Sequence, residues 1–325
     1  MLTELETLST AALYSAMIVY AIAFVFYAVD LANRSGDAAL ATQRAAAKER
    51  AAIEAGGVAT LTRAATDVSE APRRSRALRI GFALTVVGFA FHLAATIMRG
   101  IGAERVPWAN MYEFALTATC SIVLIFLIVQ FFVDVRFLGA LITGLAVLFL
   151  GVTKVNYYVA IVPLQPALDS YWLVIHILVA VLSVGVFTMA FGLSVLQLLQ
   201  HRREAREFAG EPTGLGFMAT MPNAVRLEDL SYRLAIIGFV FWTFTLIAGS
   251  IWAEAAWSRY WGWDTKEVWT FVIWVLYAGF IHARATRGWR GTRSAWLSII
   301  AYAAVIFNFA IVNVFFKGLH AYSGL

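Results

Sequence analysis

The stretch YWLVIHILVAVLSVGVFTMAFGLSVLQLL, residues 171–199, contains no Asp, Glu, Lys or Arg and is apolar over most of its length. A helix that crosses a bilayer needs about 20 such residues. A helix also satisfies its own backbone N–H and C=O groups, which lipid cannot do. The stretch therefore predicts a membrane-spanning α-helix.

The same signal recurs along the 325 residues, of which 61% are hydrophobic and 14% charged, with a mean hydropathy of +0.75. The runs are continuously apolar rather than alternating, which favours helices over a barrel. The first run has no basic stretch before it and no small-residue cleavage site after it, so we expect it to be retained. The fold class is all-α, a polytopic membrane helical bundle of about eight spans, approximately 9–31, 78–98, 113–133, 137–153, 171–199, 232–253, 267–283 and 294–316.

Basic residues predict the orientation of these spans. With the N-terminus outside, the inward-facing segments carry 19 of the 25 Lys and Arg residues, as the positive-inside rule requires. Both termini and the connection before the seventh span are therefore expected outside. The pI of 9.4 is then explained by the basic residues that this topology requires, with attraction to anionic lipid as a minor addition. It indicates no nucleic-acid partner. The six remaining basic residues are Arg99, Arg105, Lys154, Arg259, Lys266 and Lys317.

The segments between spans divide the chain into two parts. Residues 1–77 comprise the first span and an alanine-rich cytoplasmic segment, predicted as loosely attached helix ending at Pro72, and residues 78–325 carry the other spans. The charged segment 200–233 is predicted to be a surface loop in which His201 is solvated. The segment 153–172, with two prolines, is expected to lie on the surface rather than span the membrane.

Six of the eleven tryptophans fall within 252–274, around the sequence YWGWDTKEVW at 260–269. One interpretation is the aromatic belt of membrane interfaces, which suits Trp252 and Trp274. The other is a site for a large planar apolar ligand, because the cluster serves one loop rather than every helix end. Asp264 with Glu267 also has the pattern of a helix N-cap and capping box.

Four histidines lie in or beside spans, where ionisable groups are costly and often functional. His176 and His320 are both expected near the outer surface, flanking the tryptophan loop, whereas His282 is expected near the inner face and His92 at a different depth. Two opposed neutral imidazoles could ligate a haem iron, and a basic side chain of the loop could meet a propionate. Histidines that cap a transport pathway remain an alternative. The single thiol, Cys120, can form no internal disulfide, so thiol chemistry must come from other molecules.

The segment GSIWAEAAWSRYWGWDTKEVWTFVIWVLYAGFIHAR, residues 249–284, resembles the WWD signature of the haem-handling proteins of cytochrome c maturation. It is most similar to the CcsA (ResC) family of System II, within a superfamily that includes CcmC and CcmF. Three other segments share the resemblance, which covers most of 80–325: PWANMYEF at 107–114, VPLQPALDSYWLVIH at 162–176 and GLHAYS at 318–323.

The resemblance implies roles for particular residues. His176 and His320 would be the axial ligands of an outer haem b, and His282 would ligate haem entering within the membrane, opposite a ligand from the partner CcsB (ResB). His92 receives no role and is expected to be a packed or hydrogen-bonded histidine. Residues 78–325 would form the haem-handling domain, with a haem-presenting loop made of Trp257, Trp261, Trp263, Asp264 and Trp269.

The implied function is that of a membrane subunit of a cytochrome c haem lyase. It would move haem to the outer face of a bacterial cytoplasmic membrane, or its thylakoid equivalent, for thioether attachment to the CxxCH motif of apocytochrome c. A thioredoxin-like reductant would act indirectly, on the substrate thiols. Two alternatives stay open, a haem exporter without ligation activity and a bis-histidine electron-transfer subunit.

Overall fold

The computed structural model describes residues 2–54, 75–161, 164, 168–286, 288–316 and 318–320. Over these ranges the chain is helical with no strand. Eight helical segments are long and apolar enough to cross a membrane, which confirms the predicted all-α bundle. The helices are α1 Leu2–Glu54, α2 Arg76–Ala103, α3 Met111–Val129, α4 Gly139–Asn156, α5 Tyr171–Phe208, α6 Ala224–Trp257, α7 Thr265–Thr286 and α8 Thr292–Ile306, which continues as a π-helical segment Phe307–Val312 and a last turn Asn313–Phe315.

Short polar side chains start several helices. Asn110 caps α3 by accepting from the Glu113 N–H at 2.9 Å, and Asn223 caps α6 by accepting from the Arg226 N–H at 2.9 Å. Such caps satisfy backbone donors that have no partner within the helix. The Asn110 cap was predicted from the sequence and is confirmed.

Two buried apolar clusters hold the bundle together, and α5 contributes to both. Val186, Met189 and Leu193 face the cluster shared with α1, α3 and α4. Phe187 and Ala190 face the cluster shared with α6, α7 and α8, where the Phe187 and Tyr277 rings stack at 3.6 Å. The position of α5 between the two halves explains why its 29-residue apolar run has no polar stripe.

Two helices continue beyond their apolar runs, one into a segment predicted as loosely attached helix and the other into a predicted loop. Helix α1 is unbroken to Glu54, and its Ser35 packs against Gly216, so this part is not a separate, loosely attached helix. Pro72 lies outside the described residues. The predicted loop 200–233 is helical up to Phe208, where the Arg203–Glu207 ion pair at 3.1 Å supports the last turns. His201 is exposed, as predicted.

The connection between α4 and α5 adds no further span among its described residues, as expected. The connections α2–α3, α4–α5 and α6–α7 lie at one end of the bundle, which we call the loop end. The candidate functional residues gather there.

Candidate functional site

The α6–α7 connection is folded by the carboxylate of Glu267, which is 8% exposed. It accepts from the backbone N–H of Gly262 at 2.8 Å and of Asp264 at 3.1 Å. Trp263 between them has a φ of 60°, in the left-handed region that L-residues rarely adopt. The Glu267 half of the predicted capping box is therefore present, while the Asp264 carboxylate has a different partner.

That partner is His320. Its Nδ1 lies 2.5 Å from Asp264 Oδ2, although the two residues are 56 positions apart. This hydrogen bond holds the pKa of the Asp264 carboxyl below its usual range. Because the carboxylate can only accept, Nδ1 carries a proton, and in the neutral imidazole the lone pair is then on Nε2. Gly318 makes this approach possible, since a Cβ there would lie 2.1 Å from Asp264 Oδ1.

His176, on the second turn of α5, has the same arrangement with a backbone acceptor. Its Nδ1 lies 2.9 Å from the Thr245 carbonyl oxygen, so Nδ1 donates and Nε2 keeps a lone pair. A Cβ at position 249 would meet the imidazole at 2.7 Å, so glycine there makes room for the ring. Both histidines are thus oriented by an acceptor on Nδ1, as metal-ligating histidines commonly are.

Both imidazoles contact the same aromatic side chain, Trp252. Its ring stacks with His176 at 5.9 Å and 19°, and meets His320 edge-on at 5.5 Å and 68°. Trp252 is only 2% exposed, so its assignment to an aromatic belt was wrong. The spacing that suggested a belt does not reveal that this face of α6 turns inward.

Both histidines line an open pocket of about 560 Å³, together with Trp108, Asn110, Met111, Phe114, Leu168, Leu173, Ile177, Trp252, Lys266 and Asn313.

The tryptophans of the predicted loop occupy different surroundings. Trp257 meets His320 edge-on at 4.9 Å, and Trp261 lines a second pocket of about 460 Å³ beside both histidines. Trp263 is 78% exposed. Trp269 packs on Phe307 at 4.3 Å, between α7 and α8. The structure therefore places Trp257 beside His320, Trp261 at the second pocket, Trp263 on the surface and Trp269 half-buried between α7 and the π-helical segment.

Lys266 is the basic residue of the loop that lines the pocket, whereas the sequence left open which basic side chain, if any, would do so. It lies in the first turn of α7, where the helix dipole disfavours a cation, and that unfavourable position was the available signal. Its side chain lines both pockets, and its Nζ donates to Asn313 Oδ1. A cation at this point could pair with an anionic group of a ligand.

A buried charge cluster supports the α2–α3 connection, which forms one wall of the pocket. Glu113 is fully buried, and it accepts from Arg99 Nε at 3.0 Å and from Arg105 Nη1 at 2.6 Å. The same carboxylate accepts from the Ala109 N–H at 2.9 Å. The capping pattern of this segment did not reveal the ion pairs, because their partners come from other turns of the chain.

The other two histidines lie away from this pocket. His282 is exposed near the opposite end of α7, and no other described residue hydrogen-bonds its imidazole. His92 is fully buried, with Nε2 3.0 Å from the Leu116 carbonyl and Nδ1 3.4 Å from Tyr20 Oη. The expectation of a packed, hydrogen-bonded His92 is therefore confirmed.

The donor set of the pocket suits haem. Among the described residues, no group of three or more His, Cys, Asp or Glu side chains could hold a metal ion. Two histidines with free Nε2 lone pairs instead suit an iron that arrives with its own equatorial ligands, as in haem. Indole rings beside them match the apolar faces of a porphyrin.

Eight apolar helices and a histidine- and tryptophan-lined pocket at one end define a polytopic membrane protein with a candidate ligand pocket. The sequence profile of the family described as Cytochrome C assembly protein matches residues 108–320. The chain belongs to this family. It is an integral membrane protein with a role in cytochrome c maturation, and its family implies haem handling.

Three curated relatives are similar over most of their length. The cytochrome c biogenesis protein CcsA of Heterosigma akashiwo is 31% identical over 248 residues, covering 67% of this chain and 77% of that protein. CcsA of Trieres chinensis is 32% identical over 255 residues, covering 70% and 81%. CcsA of Prochlorococcus marinus is 31% identical over 247 residues, covering 70% and 78%.

A solved structure shares the fold. The cytochrome c heme lyase CcmF matches with a TM-score of 0.64 and 16% identity, over 94% of this chain and 46% of the CcmF chain. This chain therefore corresponds to less than half of that longer protein, and the likeness concerns the fold alone.

Proposed function

We propose that this chain is the membrane subunit of a System II cytochrome c haem lyase, which binds haem b at the loop end and presents it for attachment. The observation that carries the proposal is the matched pair of histidines. His176 and His320 each have Nδ1 bonded to an acceptor, and no other described residue hydrogen-bonds to Nε2 of either ring beside one tryptophan-lined pocket.

The side chains around the histidines would hold and orient the ring. Trp252, Trp257 and Trp261 would cover its faces and edges, and Lys266 would pair with a propionate. Asp264 would keep His320 in the ligating tautomer. The exposed Trp263 would contact the incoming polypeptide, whereas Trp269 would act only through packing.

The attachment itself would be an addition of thiols to vinyl groups. Each cysteine of the apocytochrome CxxCH motif adds sulfur to one vinyl carbon, and the thiol hydrogen ends on the other, with no net oxidation. The chain's contribution is to position haem against the thiols. Its only cysteine, Cys120, is buried in α3, so reduced substrate thiols would depend on a separate thioredoxin-like protein.

His282 would serve an earlier step. It is exposed on α7, away from the pocket, which is consistent with a haem ligand completed by a histidine of CcsB (ResB). Residues 78–325 would form the haem-handling domain. The distribution of Lys and Arg supports a loop end on the outer side of a bacterial cytoplasmic membrane, or its thylakoid equivalent, with both termini outside.

Optical spectra of the chain purified with its partner test the assignment. We expect His176→Ala and His320→Ala to lose or alter the outer haem, and His282→Ala to affect a separate haem population. His201→Ala is the matched control, because His201 is an exposed histidine on the cytoplasmic extension of α5. Wild-type haem content and spectra in all three variants would refute the site.

The same preparation separates the alternatives. When apocytochrome is added, a lyase yields covalent cytochrome c, whereas an exporter yields bound haem without thioether bonds. A bis-histidine electron-transfer subunit would retain its haem and pass electrons instead.

A further inference from the structure

A large apolar chamber lies beside the histidine pocket, between α3, α4, α5 and α8. The space within it, including its open side, is about 1340 Å³, and it shares His176 and Lys266 with the pocket. Helix α4 packs on α1 and α3, while α8 packs on α5 and α7, so the chamber occupies the space between α4 and α8. Leu148 and Val152 on its α4 side are 57% and 43% exposed. The chamber is therefore open sideways, toward the hydrocarbon of the membrane.

The dimensions of the chamber match one leaflet. Its α3 wall runs from Met111 to Ile122, which at 1.5 Å per residue is roughly 16 Å along the helix axis. Half of a hydrocarbon core about 30 Å thick is about 15 Å. The chamber thus extends from the loop end to about the middle of the bilayer.

Its charged side chain lies at one end, whereas the hydroxyl-bearing Thr119 and Tyr302 line it farther from that end. Lys266 is the only Lys, Arg, Asp or Glu among the described residues that line it, and it lies at the loop end. Nearby, Asn308 is 5% exposed, and its Oδ1 has no hydrogen-bond partner in the described structure, while its Nδ2 lies 3.4 Å from Thr270 Oγ1. A buried amide group without a partner is costly. Asn308 lies on the π-helical segment, a local irregularity that often accompanies binding sites.

From this arrangement we infer that the chamber is a binding site for a membrane amphiphile from the leaflet at the loop end. The acyl chain lies between α4 and α8, an anionic oxygen of the head group reaches Lys266, and a head-group hydroxyl donates to the unpaired Oδ1 of Asn308. A lipid in that leaflet would place its head group at Lys266 and its acyl chain at the side that opens toward the hydrocarbon. The bound chain closes the apolar floor beneath His176. The site shares His176 and Lys266 with the proposed haem pocket, so the amphiphile and haem compete for the loop end of the chamber.

Photo-crosslinking of the full chain in nanodiscs tests the inference. One arm uses a diazirine-labelled fatty acid, and the other uses a phosphatidylglycerol labelled in its acyl chain. Mass spectrometry of the peptides should place crosslinks from at least one probe on the chamber walls, at 111–122, 148–157 and 302–310, above the level on the exposed faces of α1 and α2. The arm that labels more strongly identifies the source of the head group.

Variants give the proposal its sharpest test. Ala118→Phe, and independently Ala310→Phe, fill the chamber and should reduce its labelling to the level of the exposed faces. Val87→Phe, on an exposed face of α2, is the matched control and should change nothing. Lys266→Gln should weaken retention of the anionic probe about tenfold, the loss expected for a hydrogen bond to a charged group.

Two results would overturn the inference. One is uniform labelling of all lipid-facing helices that neither filling variant changes in correctly folded protein. The other is the absence of chamber labelling by both probes in haem-free protein, where no haem competes for Lys266. The haem spectra of the filling variants are read separately, so failure of the lipid site is distinguishable from failure of the haem assignment.

Discussion

The hydrogen bond between Asp264 and His320 provides the most discriminating prediction. In Asp264→Asn the side chain keeps its shape and can still accept from Nδ1 through its amide oxygen. It loses the negative charge, and with it the charge-assisted hydrogen bond at 2.5 Å. We therefore expect a folded protein whose His320 is a weaker and less well oriented haem ligand.

The magnitude follows from the kind of hydrogen bond that is exchanged. Hydrogen bonds to charged groups contribute about 1.5–3 kcal/mol, and neutral ones about 0.5–1.5 kcal/mol. The difference, about 1–1.5 kcal/mol, corresponds to roughly a tenfold loss of haem affinity at the outer site, at the lower end of the 10–100-fold range for partners of metal-ligating histidines. The reduction potential should also rise, because a less basic imidazole stabilises ferric iron less.

Haemin titration followed by the Soret band, together with spectroelectrochemistry, measures both quantities. Glu254→Gln is the matched control, since it removes an exposed carboxylate near the same loop. An Asp264→Asn protein with unchanged affinity and unchanged potential would refute the role of Asp264. An equal change in both variants would show that only the net charge of the loop matters.

Further expectations concern stability and the aromatic groups. Because its pKa is lowered, the paired Asp264 carboxylate stabilises the folded protein at pH values above the usual carboxyl range, and this stabilisation is lost as the pH falls through the lowered pKa. The difference in melting temperature between wild type and Asp264→Asn should therefore shrink in acidic buffer. A difference that stays constant with pH would contradict this. Glu113→Gln should cost about 1.5–3 kcal/mol in thermal unfolding, because it removes the charge that Arg99 and Arg105 share, while Arg99 keeps its ion pair with Glu6 at 3.3 Å. Trp252→Ala should weaken haem binding at least about tenfold, since it removes packing from both histidines. Trp263→Ala, at an exposed position, should keep that affinity but lower covalent attachment to apocytochrome; equal haem loss in both tryptophan variants would refute the distinction.

Much of the fold was predictable because membrane spans depend on local composition. A run such as 171–199 must be helical in lipid whatever its neighbours are, and the same logic predicted all eight spans. Helix ends beyond the apolar runs were less predictable. The extension of α5 to Phe208 depends on charged pairs in water, where no hydropathy signal marks the boundary.

The sequence alone determined the helical spans, the Asn110 cap and the tryptophan-rich connection, because each depends on residues close together in the chain. Only the tertiary structure decided the contacts of the site. Asp264 and His320 are 56 positions apart, and His176 and Thr245 are 69 apart. The rotation of α6 turns Trp252 inward, and the return of the last turn brings Asn313 to Lys266. The face that a helix turns toward a pocket is set by packing against its neighbours, which local sequence does not encode.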